Sequence, residues 1–170
     1  MLNVKDLCVD SKKMKNNRIV DWKPPAFDSL KFNVDGSVVG KPGPAGVGGV
    51  LRDFNGKILC LFSYHMGILD SNVAELWAIK IAMDLCLSNP MITGRSISIV
   101  SNSKVAVSWV NEGDFGSLDH YNIINDIRIN MRSFGDVEVV HESRVFNSFA
   151  DSLVKMGFSQ SGDFVEWGDL

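Results

Sequence analysis

The chain has 170 residues, 45% hydrophobic and 22% charged, which suits one well-packed α/β domain and leaves too little for two. A formal net charge of −3 provides no general basic field, so any polyanionic partner needs a local basic patch. No apolar run reaches the roughly 18–20 residues that cross a bilayer. The first residues lack the apolar core of a secretory signal, and Cys8, Cys60 and Cys86 have no CxxC spacing. They fit a reducing, intracellular compartment, cytoplasm and nucleus undistinguished, rather than a disulfide framework or zinc site.

Residues 1–22 read as a flexible polar lead-in with a basic cluster at Lys12, Lys13, Lys15 and Arg18. "WKPP" then sets an extended entry into a folded region over residues 23–157. Leu30 to Asp35 alternates Leu30, Phe32 and Val34 with Lys31, Asn33 and Asp35, a strand pattern. Val47 to Arg52 and Ile58 to Tyr64 are apolar runs joined by "DFNG", a turn built on Asn55-Gly56. Short links imply that these three strands form an antiparallel meander.

The period then changes. "SNVAELWAIKIAMDLCLS" has helical spacing, with Ser71 or Asn72 as its cap and Pro90 and Gly94 closing it. "SISIVS" reads as a buried strand, "SKVAVSWVNEG" as a short helix ending near Gly113, and "LDHYNIINDIRINMRSF" as an amphipathic helix. "VEVVH" is a fifth strand and "NSFADSLVKMG" a final helix stopped by Gly157, with residues 158–170 an acidic tail. Crossovers through helices make the later strands parallel to a neighbour. The expected architecture is therefore α/β: a five-stranded mixed sheet, three antiparallel strands then two parallel, flanked by helices.

On this map Asp35 ends the first strand, Glu75 lies in the first turn of the first helix, and Asp151 in the opening turns of the last. Converging carboxylates repel unless a cation sits among them, and Mg²⁺ takes oxygen ligands. Taken singly, an acid near a helix start is better explained by its stabilising of the helix dipole. The glycine-rich stretch "GKPGPAGVGG" after Asp35 lacks the GxxxxGK[ST] order of a nucleotide loop and the helix that follows one.

The blocks "DGSVVGKPGPAGVGGVLRD", "SNVAELWAI", "SIVSNSKVAV" and "RVFNSFADSLVKMG" occur in the order of the ribonuclease H type 1 family. The chain resembles the plant ribonuclease H-like domains related to non-LTR retroelements, including their "W-x-P-P" lead-in and "K-x-N-x-D-G-S", over about residues 22–157. That resemblance implies a ribonuclease H-like fold and Mg²⁺-dependent endonucleolytic cleavage of the RNA strand in RNA–DNA hybrids, with Mn²⁺ as a substitute. It makes Asp35, Glu75 and Asp151 the first, second and fourth metal-binding carboxylates. Ser71 and Asn72 would touch the ribose 2′-hydroxyls, the group that separates RNA from DNA. Gly36, Ser37 and Lys41 would lie along the nucleic-acid track.

The chain departs from the family in three places. Where the third carboxylate belongs, "SNSK" places Asn102, which keeps one carbonyl oxygen but loses a full charge. The family histidine before the last helix has no good match, because His141 lies at the strand end; Arg144 and Asn147 instead match the plant "P-R-E-x-N" pattern. Arg144 is then a phosphate contact, and Asn147 either a contact or a cap of the final helix. The segment "GDFGSLDHY" is short and acidic where some members carry a basic handle, so hybrid or structured-RNA binding is expected to be weak and salt-dependent. Catalysis weakened or lost through Asn102 is the expectation. A non-catalytic RNA or hybrid binder, or a protein-interaction module on the same fold, is the alternative.

Overall fold

In the computed structural model of the chain, residues 22–113, 120–159 and 163–169 are described, those at 156–159 by their backbone alone. Most of the lead-in with its basic cluster, and the core of the short acidic segment, therefore lie outside the described residues.

Three strands open the fold: β1 (Leu30–Val38), β2 (Gly43–Asp53) and β3 (Ile58–Leu69). They pair antiparallel in sequence. The turn from β2 to β3 is tied by Asp53 Oδ1, which accepts from the Asn55 and Lys57 amides, and Gly56 takes a positive φ of 81°. Helix α1 (Ser71–Ser88) follows, then β4 (Ile97–Ser101), α2 (Lys104–Glu112), α3 (Tyr121–Phe134), β5 (Val137–His141) and α4 (Ser148–Ser159). β4 lies parallel to β1, and β5 parallel to β4.

Among the described residues the sheet has six strands in the order β5-β4-β1-β2-β3-β6, which corrects the expected five. The sixth, β6 (Phe164–Trp167), pairs antiparallel with β3 from within the segment expected as a tail. It pairs the outer edge of the meander, whose backbone donors and acceptors would otherwise stay open. The expected glycine-rich loop is also much shorter: β2 starts at Gly43, so only residues 39–42 connect it to β1. Similarly, β3 runs five residues past Tyr64, and α4 continues through Gly157 to Ser159.

Helices cover both faces. On one, Phe32 and Val34 of β1 join Leu76, Ile79 and Met83 of α1 in the main core. On the other, Val50 of β2 and Leu61 of β3 meet Leu153 of α4. Gly48 permits that contact, because a Cβ there would lie 3.1 Å from the Val154 amide nitrogen. The sheet thus buries both faces of β1, and the polar set Lys31, Asn33 and Asp35 is interior. This arrangement carries Asp35 into the space where β1, the end of β4 and the N-terminal ends of α1 and α4 meet. No helix among the described residues is long and apolar enough to cross a membrane.

Candidate active site

β1 and β4 run parallel, with Asn33 opposite Val100, so the next residues along bring Asp35 beside the residue after β4. That residue is Asn102, whose Nδ2 donates to Asp35 Oδ1 at 3.0 Å. Helix α1 is capped by Asp70, which accepts from the Asn72 amide; the expected cap at Ser71 or Asn72 is corrected by this bond. Both residues sit instead within the first turn, Ser71 exposed and Asn72 half-buried.

Glu75 follows in α1 and is 8% exposed. Its Oε2 accepts from Ser101 Oγ at 3.1 Å, and the Gly36 backbone also donates to its carboxylate. Gly36 is required for that approach: a Cβ on it would lie 2.5 Å from the Ala74 carbonyl carbon. Ser101 Oγ in turn accepts from the Ser103 amide, so the serine joins α1 to the start of α2.

Asp151 stands in the first turn of α4 and already has two cations. Its Oδ1 accepts from Arg144 at 3.0 Å and its Oδ2 from Lys155 at 2.6 Å. Asn147 is 1% exposed, and its Nδ2 donates to the Val34 carbonyl at 2.6 Å, one residue from Asp35. The structure therefore places Asn147 inside, holding β1, rather than on the surface or capping α4. Lys41 is exposed at the β1–β2 tip, Ser37 is half-buried on β1, and His141 is exposed at the end of β5.

The electrostatics follow from this crowding. Burial raises the Asp35 carboxyl to about 6, helped by the Asp151 charge and opposed by the Asn102 hydrogen bond, Arg144 and Lys155. Burial likewise raises Glu75 to about 8, with Asp35 adding repulsion. Asp151 moves the other way: partial burial opposes ionisation but loses to the hydrogen bonds from Lys155 and Arg144. Arg144 is raised by its bond to Asp151.

Asp35 and Glu75 are thus oxygen donors whose charged forms are held at a cost that a bound divalent cation would relieve. Asp151 could join only after releasing its two basic partners. Among the described residues, no three acidic, histidine or cysteine side chains converge into a group able to hold a metal ion. The donor set fits a cation on Asp35 and Glu75, and the fit stops short of a full carboxylate cage.

A family model described as reverse transcriptase-like matches residues 33–157, most of the chain. The chain belongs to this family. A protein of Arabidopsis thaliana named for ribonuclease H is 29% identical over 147 residues, which are 86% of this chain and 23% of that protein. The chain thus spans under a quarter of that relative's length.

Among solved structures, LC11-RNase H1 from compost is 25% identical and superposes with a TM-score of 0.72, covering 78% of this chain and 97% of that one. Its complex with an RNA/DNA hybrid is 27% identical, with a TM-score of 0.71 over 77% and 97%. The N-terminal RNase H domain of a Mycobacterium tuberculosis protein is 20% identical, with a TM-score of 0.70 over 77% of this chain and 94% of that one. This reverse transcriptase-like domain has the ribonuclease H-like fold, and the Arabidopsis relative supports the plant type recognised from the four sequence blocks.

Several site residues escaped the sequence reading. Ser101 binds Glu75, and on the same face of β1 as Asp35 the Trp22 indole donates to Asn33 and Lys31 pairs with Glu142. The one available signal was Lys31, a lysine two residues from an asparagine and four from an aspartate on the same strand face.

Proposed function

We propose that this domain binds RNA–DNA hybrids at the Asp35–Glu75–Asp151 site, and that hydrolysis of the RNA strand is weakened or lost because Asn102 replaces a third acid. One observation carries the proposal. The Asn102 amide donates to Asp35, so a hydrogen-bond donor points into the place where a metal-binding acid would point an acceptor. Two charges about 4 Å apart at an effective dielectric near 20 interact by about 4 kcal/mol, so the missing charge weakens cation binding substantially.

In this reading Asp35 and Glu75 would hold Mg²⁺, or Mn²⁺ in its place. A bound divalent cation lowers the pKa of its water and neutralises charge on the scissile phosphate. The chain's own residues do the rest. Ser101 and the Gly36 amide fix the Glu75 carboxylate, Asn147 fixes the strand next to Asp35, and Arg144 offers an exposed guanidinium to a phosphate. Ser71 and Asn72, in the first turn of α1, would meet ribose 2′-hydroxyls, and Gly36, Ser37 and Lys41 would follow the strand. Cleavage at such a site leaves a 5′-phosphate and a 3′-hydroxyl.

The pairing of Asp151 with both Arg144 and Lys155 favours a second reading, a hybrid binder that does not cut. The two are separated by measuring hybrid binding at low ionic strength alongside cleavage of a labelled hybrid in Mg²⁺ and Mn²⁺. Binding with slow cleavage supports the first, binding without cleavage the second, and no binding excludes both.

A further inference from the structure

Beneath Asp35, on the same face of β1, lies a charge with no role in the site described so far. Lys31 is 4% exposed, and its Nζ makes direct contact with Glu142 Oε1, the residue after β5. The same Nζ donates to the Lys23 carbonyl at 2.9 Å. Glu142 is itself anchored, its amide donating to the Ser101 carbonyl at 3.1 Å.

Residues ahead of β1 add further ties to the same region. Trp22 Nε1 donates to Asn33 Oδ1 at 3.0 Å, and the Arg52 guanidinium lies between the Trp22 and Phe149 rings, 5.1 and 5.0 Å from their centres. Lys23 Nζ stands 4.7 Å over the Phe146 ring. Three of these contacts end on residues 142–149, the stretch that contains Arg144 and Asn147: Lys31 on Glu142, Lys23 on Phe146 and Arg52 on Phe149. Arg144–Asn147 is a short 3-10 turn whose first residue has no side-chain cap. The Phe146 amide donates to the Ser143 carbonyl at 2.9 Å at its start, and the Asn147 side chain ties it to β1.

We infer that the Lys31–Glu142 pair, tied to the Lys23 carbonyl, positions the Arg144–Asn147 turn against β1, with Trp22 bracing the same face through Asn33 and Arg52. The network then holds Arg144 toward Asp151 and Asn147 under Val34. Lys31, Glu142 and Trp22 are positioning residues: none of them touches the Asp35–Glu75–Asp151 group. A buried ion pair suits this task because its geometry is directional, whereas two apolar side chains of similar volume could slide. The consequence for hybrid binding rests on the function proposed above; the positioning itself does not.

The test uses the full chain and three variants: Glu142→Ala, Lys31→Met with Glu142→Ala, and Trp22→Ala. Removing one partner leaves a buried charge and can unfold the chain, so the double variant and the tryptophan variant carry the test if Glu142→Ala fails to fold. The first readout is hydrogen exchange of the Asn147 side-chain amide by NMR, which is expected to speed up by about tenfold or more in the folded variants. The second is hybrid affinity at low salt, expected to fall about threefold or more, with no further fall in an Arg144→Gln background. Folded variants with unchanged Asn147 exchange overturn the inference, as does an equal loss of affinity with and without Arg144. If no protein in the set binds hybrid, the nucleic-acid reading fails, and Asn147 exchange alone decides the positioning.

Discussion

Asn102 Nδ2 and Asp35 Oδ1 meet at 3.0 Å as donor and acceptor, where Asn102, just past the end of β4, comes level with Asp35 within the parallel strand β1. An acid at position 102 would replace this attraction with repulsion. Asn102→Asp is therefore expected to lower stability at neutral pH by about 1–3 kcal/mol in a chelator, since it removes a hydrogen bond and adds a charge beside a buried one. Mg²⁺ should restore most of that loss in the variant and change the native chain little. Thermal melting with and without the cation checks both halves.

The two raised carboxyls give a pH dependence with a definite sign. Asp35 rises from 3.8 to about 6 and Glu75 from 4.5 to about 8, so the folded chain holds more protons than the unfolded one between roughly pH 4 and 8. Their stabilising protonated forms are complete at low pH, fade as pH rises, and are exhausted above about 8. Glu75→Gln keeps an oxygen for Ser101 and the Gly36 amide while discarding the charge. It should raise stability at pH 8 by about 2–4 kcal/mol and do little at pH 4, as read by denaturant titration at both values.

Gly36 carries the close approach of α1 to β1. Alanine there would bring its Cβ to 2.5 Å from the Ala74 carbonyl carbon and 2.7 Å from the Glu75 nitrogen. Backbone atoms cannot swing aside as a flexible side chain can. Gly36→Ala is expected to cost about 3 kcal/mol or more and to displace Glu75 from Ser101. Urea unfolding gives the stability, and the loss of the elevated Glu75 titration by NMR gives the displacement.

How far these features were legible depended on the kind of signal each residue leaves. The alternation from Leu30 to Asp35 announced β1, and Asn55-Gly56 announced the turn to β3, because period and turn chemistry are local. Alternation alone does not say what covers the face that carries Lys31, Asn33 and Asp35. They are interior, because α4 and Trp22 cover that face, and nothing local to β1 encodes the cover. For the same reason β6 was missed: a four-residue strand far along the chain is fixed by the open edge of β3, not by its own pattern. The cap at Asp70 lay one residue before the expected Ser71, an error within the usual uncertainty of helix ends. Asp35, Glu75, Asp151 and Asn102 were located through the order of the four blocks, whereas Ser101 and Glu142 act through contacts from distant segments and left no trace in spacing.

Under the proposed function, Arg144 is the phosphate contact that governs the salt response. It is exposed and paired with Asp151, so a phosphate must compete with that aspartate for it. Arg144→Gln should weaken hybrid binding about threefold at low salt and reduce the slope of log affinity against log salt by about one. Filter binding across a salt series measures both.

The most direct measurement is cleavage of a labelled RNA–DNA hybrid in Mg²⁺ by the native chain, by Asn102→Asp, and by Asn102→Asp with Asp35→Asn. The account predicts slow or absent cleavage by the native chain, a gain of about tenfold or more from the aspartate, and abolition by the added Asp35→Asn. A native chain that cuts as fast as Asn102→Asp would contradict it.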